Sequence, residues 1–215
     1  MFANINEMYQ CLLGESLDTG LSALLVRFSG CNLTCTYCDT RHACTEEGQR
    51  LELDNIVDLV LERKLRRVLI SGGEPLLQMD AVRELSARLL RERVRVLVET
   101  NGTLPIYGLP PKTKLIIDVK TPGAQPQLPF CMENLDNLQP RDQLKFVITS
   151  RADYDWSLNF LQQVKLSIPQ SHVLFSSAWG PLQPAELAGW MLHDNSPYRF
   201  HLQMHKVIWG EKRGV

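Results

Sequence analysis

The sequence of 215 residues lacks a surplus of charge of either sign. Lys and Arg number 23, Asp and Glu 24, and the formal net charge is -1. Without a basic excess there is no general electrostatic pull toward nucleic acid, and without an acidic tail there is no solvating segment. No apolar run is long enough to span a bilayer. The opening MFANINEMYQ has neither the basic n-region nor the apolar h-region of a secretory signal. Internal repeats and low-complexity tracts are missing too. These absences leave a globular chain, expected in the cytoplasm and away from membranes and nucleic acid. Hydrophobic residues make up 44% and charged residues 22%, which is ordinary for such a chain. The length suits one domain over residues 1–215, with a core that needs no disulfide.

Six cysteines stand out against this background. In a cytosolic chain, clustered cysteines point to metal or catalysis more than to disulfides. Short apolar runs are expected as strands at 22–29, 67–71, 94–100, 114–120, 143–149, 172–177 and 200–204. Several are almost continuously apolar, which suits a parallel sheet covered on both faces. Helical patterns lie between them. Asp54 is placed to cap a helix whose Ile56, Leu59 and Val60 share a face. Val82, Leu85 and Leu89 repeat the pattern, as do Trp156, Phe160, Leu161 and Val164. Pro184 suits a first helical turn. Residues 122–141 read as an irregular excursion. Alternating strands and helices predict an α/β fold. A closed eight-unit barrel takes about 250 residues, so an incomplete parallel β/α barrel is expected.

The chemistry collects at strand ends. Residues 29–40 read SGCNLTCTYCDT, with Cys31, Cys35 and Cys38 spaced C-x3-C-x2-C after a strand. Soft thiolates in that spacing suit an iron–sulfur cluster, with one iron left open for a second molecule. A closed zinc knuckle with Cys44 as fourth ligand is the rival reading, and buried inert thiols a third. No second C-x2-C lies downstream to favour zinc. Residues 71–75 read SGGEP at the end of another strand. Two glycines permit close backbone approach to a ligand, and Glu74 adds an acceptor for an ammonium group.

Cys31, Cys35, Tyr37 and Cys38, followed by the glycine motif, resemble the loop of radical S-adenosylmethionine (SAM) enzymes. The resemblance implies a [4Fe-4S] cluster on Cys31, Cys35 and Cys38, whose open iron is chelated by SAM. It implies reductive cleavage of SAM to a 5′-deoxyadenosyl radical that takes hydrogen from a substrate. Gly73 and Glu74 fall at the methionine end of SAM, and Tyr37, Cys38 and Asp39 along its adenine side. Asp118, Val119 and Lys120 correspond to a SAM-contacting strand end.

Three further segments are more specific: INEMYQCLLGES (5–16), VRFSGC (26–31) with Cys38-Asp39-Thr40, and LQMHK (202–206). Together they resemble the 7-carboxy-7-deazaguanine synthase family, over nearly the whole chain. That family contracts the ring of 6-carboxy-5,6,7,8-tetrahydropterin, releases ammonia and requires Mg2+. The resemblance puts Thr40 on Mg2+. It puts Leu12, Leu13, Gly14, Glu15, Arg27, Ser71, Glu99, Gln203 and His205 around the pterin. Arg27 offers a planar fork for the substrate carboxylate. Gln203 and His205 are expected on alternate positions of a terminal strand, facing one way. No residue is assigned as a general acid or base.

The resemblance further implies a flavodoxin- or ferredoxin-like electron donor and a homodimer. Two positions depart from the usual Q-G-E-G opening, because Leu13 and Ser16 stand where Gln and Gly are common. Cys11, Cys44 and Cys131 match no ligand position and read as plain thiols. The alternatives are a radical SAM activase acting on a protein and a structural zinc module.

Overall fold

The computed structural model describes all 215 residues. One sheet takes nine strands: β1 (Phe2–Leu12), β2 (Ser22–Phe28), β3 (Gln49–Glu52), β4 (Arg67–Gly72), β5 (Arg95–Thr100), β6 (Lys114–Asp118), β7 (Gln143–Ile148), β8 (Val173–Ser177) and β9 (Arg199–His201). Their order is β3-β1-β2-β4-β5-β6-β7-β8-β9. β1 runs antiparallel to both β2 and β3. Every pairing from β2 through β9 is parallel. β3 and β9 do not pair, so the expected partial β/α barrel is present and stays open.

The helices are α1 (Arg41–Thr45), α2 (Leu53–Glu62), α3 (Met79–Arg91), α4 (Glu133–Asp136), α5 (Arg151–Gln163), α6 (Pro184–His193) and α7 (Met204–Trp209). Strand side chains alternate between two faces. One face of β2, β4 and β7 carries Leu24, Val26, Phe28, Val68, Ile70, Leu144, Phe146 and Ile148. These pack with Ile56, Val60, Val82, Leu85, Leu89 and Leu187 of the helices in a single core. Each fully buried side chain of this size contributes about 1.5–3 kcal/mol. On the opposite face, Leu13, Ala23, Leu97 and Ile116 close with Leu69 into a small separate cluster.

Several expectations change. β1 and β3 are not among the expected strands; Asn4, Asn6, Glu7 and Gln10 break up the apolar pattern of β1. Asp54 lies inside α2, whose N-cap is Glu52. The terminal strand stops at His201, and Gln203 becomes the N-cap of α7. Gln203 and His205 therefore do not alternate on a strand. The register that matters for function is on the inner face. Five neighbouring parallel strands each carry one polar residue near the carboxyl end: Arg27, Ser71, Glu99, Asp118 and Lys145. Arg27 pairs with Ser71 and Asp118 with Lys145 in the backbone register.

Candidate active site

Cys31, Cys35 and Cys38 line one cavity at this end of the sheet. Their loop has no regular structure of its own and is tied to its neighbours. Gly30 donates its N–H to the Ala43 carbonyl at 2.8 Å, and Gly30 O accepts from Glu74 N at 2.8 Å. Thr36 N donates to the Ala124 carbonyl at 3.2 Å. Asn101 Nδ2 donates to Asn32 Oδ1 at 2.9 Å. Gly73 is packed so closely that a Cβ there would lie 2.1 Å from Gly30 O and 2.9 Å from the Cys31 Cβ. Only glycine permits this contact between the two motifs.

The donors suit an iron–sulfur cluster with SAM on it. Three thiols face shared space. Cys44 borders the same cavity, where burial and then the neighbouring Cys31 and Cys38 thiols push its own thiol up to about 12. Burial pushes the Cys31 and Cys35 thiols up as well. Two polar atoms of the cavity-lining residues are buried without partners, the Tyr37 hydroxyl and Asp118 Oδ1. Unpaired buried groups of this kind call for a polar ligand. Thr40 occupies the N-cap position of α1, yet its hydroxyl makes no capping bond. It borders the cavity, 3.8 Å from Cys38 Sγ.

A charged ring forms the adjoining wall. Lys145 is almost fully buried and pairs with Glu15, with Glu99 Oε1 at 2.5 Å and with Asp118 Oδ2 at 3.4 Å. Burial opposes its charge, but the carboxylates of Glu15, Glu99 and Asp118 outweigh it and hold its pKa well above the usual lysine value. Burial likewise opposes the Glu15 charge, and Lys145 wins, keeping that carboxyl far below its usual range. Lys120 Nζ lies 2.8 Å from Asp118 Oδ2. Arg27 donates through Nε to Glu7 Oε2 at 2.8 Å and through Nη1 to Gly72 O at 3.4 Å. Glu7 also meets His42 Nε2 at 3.1 Å and Arg213.

The LGES segment is locked to the start of α7. Met204 N donates to Gly14 O at 2.9 Å, and Gln203 Nε2 to Glu15 Oε1 at 2.6 Å. Asp39 Oδ2 sits 3.9 Å from His205 Nε2 and 3.7 Å from Lys206 Nζ. Thus the three segments singled out in the sequence meet at one wall. Ser16 adopts φ 82°, the left-handed conformation for which glycine is better suited. Leu13 is buried with Ala23, Leu97 and Ile116, so its side chain packs where an amide would need a partner. A Cβ on Gly14 would lie 2.1 Å from His205 Nδ1. Gly14→Ala therefore displaces the ring; overpacking of this kind costs about 1–3 kcal/mol. The expected result is a KM for the pterin raised about tenfold, with SAM cleavage in the absence of pterin unchanged in steady-state assays.

Two sequence expectations are corrected. Glu74 does not border the cavity. It is fully buried and accepts from Leu76 N at 2.9 Å, Thr100 Oγ1 at 2.8 Å and Asn101 N at 2.7 Å. Burial raises its pKa to about 7 against the pull of those donors. Its carboxylate ties two strand ends together, and only Gly73 of that pair remains at the wall. Val119 points into the helix-side core, because alternation turns it away from Asp118 and Lys120. Tyr37, Cys38, Asp39, Leu12, Leu13, Gly14, Glu15, Arg27, Ser71, Glu99, Gln203 and His205 all border the cavity. Lys145 and Asn101 were missed. Lys145 had one signal, a lone charge in a strand otherwise free of it. Cys11 and Cys44 border the cavity, whereas Cys131 does not.

Three thiols on a loop after β2, cradled by a diglycine turn after β4 in an open parallel barrel, define a radical SAM enzyme. Residues 25–126 match the model of the Radical SAM superfamily. The chain belongs to the 7-carboxy-7-deazaguanine synthase family. It is 38% identical to the 7-carboxy-7-deazaguanine synthase of Koribacter versatilis, over 98% of this chain and 99% of the relative. It is also 38% identical to that of Chlorobaculum tepidum, over 99% and 97%. The fold is that of QueE from Escherichia coli, with TM-score 0.77, 21% identity and 95% of each chain covered.

Proposed function

We propose that the chain converts 6-carboxy-5,6,7,8-tetrahydropterin to 7-carboxy-7-deazaguanine and ammonia, as a 7-carboxy-7-deazaguanine synthase. The observation that carries this reading is the convergence of Glu15, Asp39 and His205 on the cavity lined by the three cysteines. When bound, the cluster and SAM supply an organic radical able to take a hydrogen atom from the substrate. The chain supplies position and charge. Cys31, Cys35 and Cys38 hold the cluster. Tyr37, Asp39, Gly73, Asp118 and Lys120 border the place for SAM. Arg27 meets the substrate carboxylate with the guanidinium edge that Glu7 leaves open. Glu15, kept ionised by Lys145, and Glu99 accept from the amino-pyrimidine edge. Gln203 and His205 close that side. Thr40 offers its hydroxyl, which makes no capping bond, to Mg2+, a hard ion that takes few protein oxygens.

The reading includes a flavodoxin- or ferredoxin-like electron donor, a homodimer and a cytoplasmic location, all supported by family resemblance. No helix is long and apolar enough to cross a membrane. The test is anaerobic turnover of the reconstituted enzyme with SAM, reductant, Mg2+ and the carboxytetrahydropterin. Equal amounts of 7-carboxy-7-deazaguanine and ammonia are expected, with SAM regenerated. Cleavage of SAM without any deazaguanine would overturn the substrate assignment.

A further inference from the structure

The end of the sheet remote from the cavity begins with arginines. Arg66 and Arg67 lead into β4, and Arg93 and Arg95 lead into β5. These four residues alone line a recess. Arg67 and Arg95 stand directly opposite in the parallel register, and Arg95 N donates to Arg66 O at 3.0 Å. Like charges so placed destabilise a sheet. A neighbouring acid ordinarily relieves the repulsion, but none does so here. The arginine ion pairs of the chain use Arg27, Arg83, Arg88, Arg151 and Arg213. Arg67 Nε is buried and has no hydrogen-bond partner.

Two bland explanations fall short in magnitude. The C-termini of α2 and α3 face this end, and cations are favoured there. Each terminus is worth about half a negative charge, so the two offset about one of the four guanidiniums. Glu62 and Glu92 lie in the same turns, yet residues 62–67 and 91–95 together hold seven basic residues against these two acidic ones. Both turns also pass through a left-handed residue, Lys64 at φ 52° and Arg93 at φ 60°. Glycine or asparagine is the usual occupant there. Cations thus occupy positions where backbone strain and mutual repulsion both disfavour them.

We infer that this recess binds a multivalent phosphate anion of the oligophosphate class. Guanidinium forks match phosphate oxygens in pairs, and four of them match a chain of phosphates better than a single one. The recess has no aromatic or apolar residue in its wall, so a nucleobase would find only guanidinium planes, and these are drawn first to the phosphates. Recognition rests on the phosphates alone, and occupancy relieves the Arg67–Arg95 repulsion.

The test is calorimetric titration of the reconstituted holoenzyme with inorganic triphosphate, and separately with ATP. Saturable binding of both with similar affinity is expected, together with a rise in Tm. The doubly substituted Arg67→Ala/Arg95→Ala enzyme should bind at least about tenfold more weakly, show no rise in Tm, and keep its SAM cleavage. Arg66→Ala/Arg93→Ala provides a second variant outside the strands should the first fold poorly by circular dichroism. Absence of saturable binding, undiminished binding by a folded variant, or binding of ATP without triphosphate would each overturn the inference.

Discussion

Cys31→Ala is expected to abolish SAM cleavage and the visible absorbance of the reconstituted cluster. The physical reason is the count of donors. Three thiolates hold three of the four irons and leave the fourth open, and removal of one leaves two thiolates in the loop to hold the cluster. Cys44 borders the same cavity but stands outside the C-x3-C-x2-C loop, on α1. Cys131→Ala serves as the control. Cys131 sits outside the cavity, its N–H donating to Gly102 O at 2.9 Å, so iron content and SAM cleavage should stay near the parent's. Iron and sulfide analysis with assay of 5′-deoxyadenosine reads both variants. A cluster that survives in Cys31→Ala and fails in Cys131→Ala would refute the ligand set.

Lys145→Met is expected to damage both stability and turnover. Its side chain is 5% exposed and separates three carboxylates that are themselves largely shielded, at 17%, 21% and 9%. Breaking a buried ion pair from one side costs about 3–5 kcal/mol, because the remaining charge is stranded. In a chain of this size that lowers Tm by about 6–20 °C. Glu15 and Glu99 then lose the cation between them, whereas Asp118 keeps Lys120 at 2.8 Å. The stranded charge should make the variant more stable as pH falls from neutral toward 5, where protonation relieves it. Thermal melts across that range check the point. A Tm within two or so degrees of the parent's would remove Lys145 from its bridging role. Turnover should fall with it, since two of the three carboxylates face the proposed pterin position.

Much of this site was legible because its chemistry is local in sequence. SGCNLTCTYCDT and SGGEP each follow a strand, and spacing alone brings three thiols and two glycines to the same end of a parallel sheet. The outline of the barrel was legible for a similar reason, since apolar runs such as RVLIS and QLKFVIT are covered on both faces. What escaped depends on register between distant strands. Lys145 looks like an interruption until β5, β6 and β7 are aligned, when it stands among Glu99 and Asp118. Glu74 looked like a ligand because nothing in SGGEP reveals that Thr100 and Asn101 arrive to bind its carboxylate. LQMHK carries no clear period, so a helix start was mistaken for a strand. Leu13 marked a departure in the sequence, but only the apolar contacts with Leu97 and Ile116 explain why no amide is needed.

The cysteine loop borrows its shape. Its anchors are the carbonyl of Ala43, the N–H of Glu74, the amide of Asn101 and the carbonyl of Ala124, contributed by four separate stretches of chain. Those stretches come together only when β2, β4, β5 and β6 have already paired. A zinc finger, by contrast, gains its fold from the metal. Here the loop's anchors belong to the paired strands and their connections, so a substitution that separates β4 from β5 is expected to disturb the three thiols as much as one within the loop.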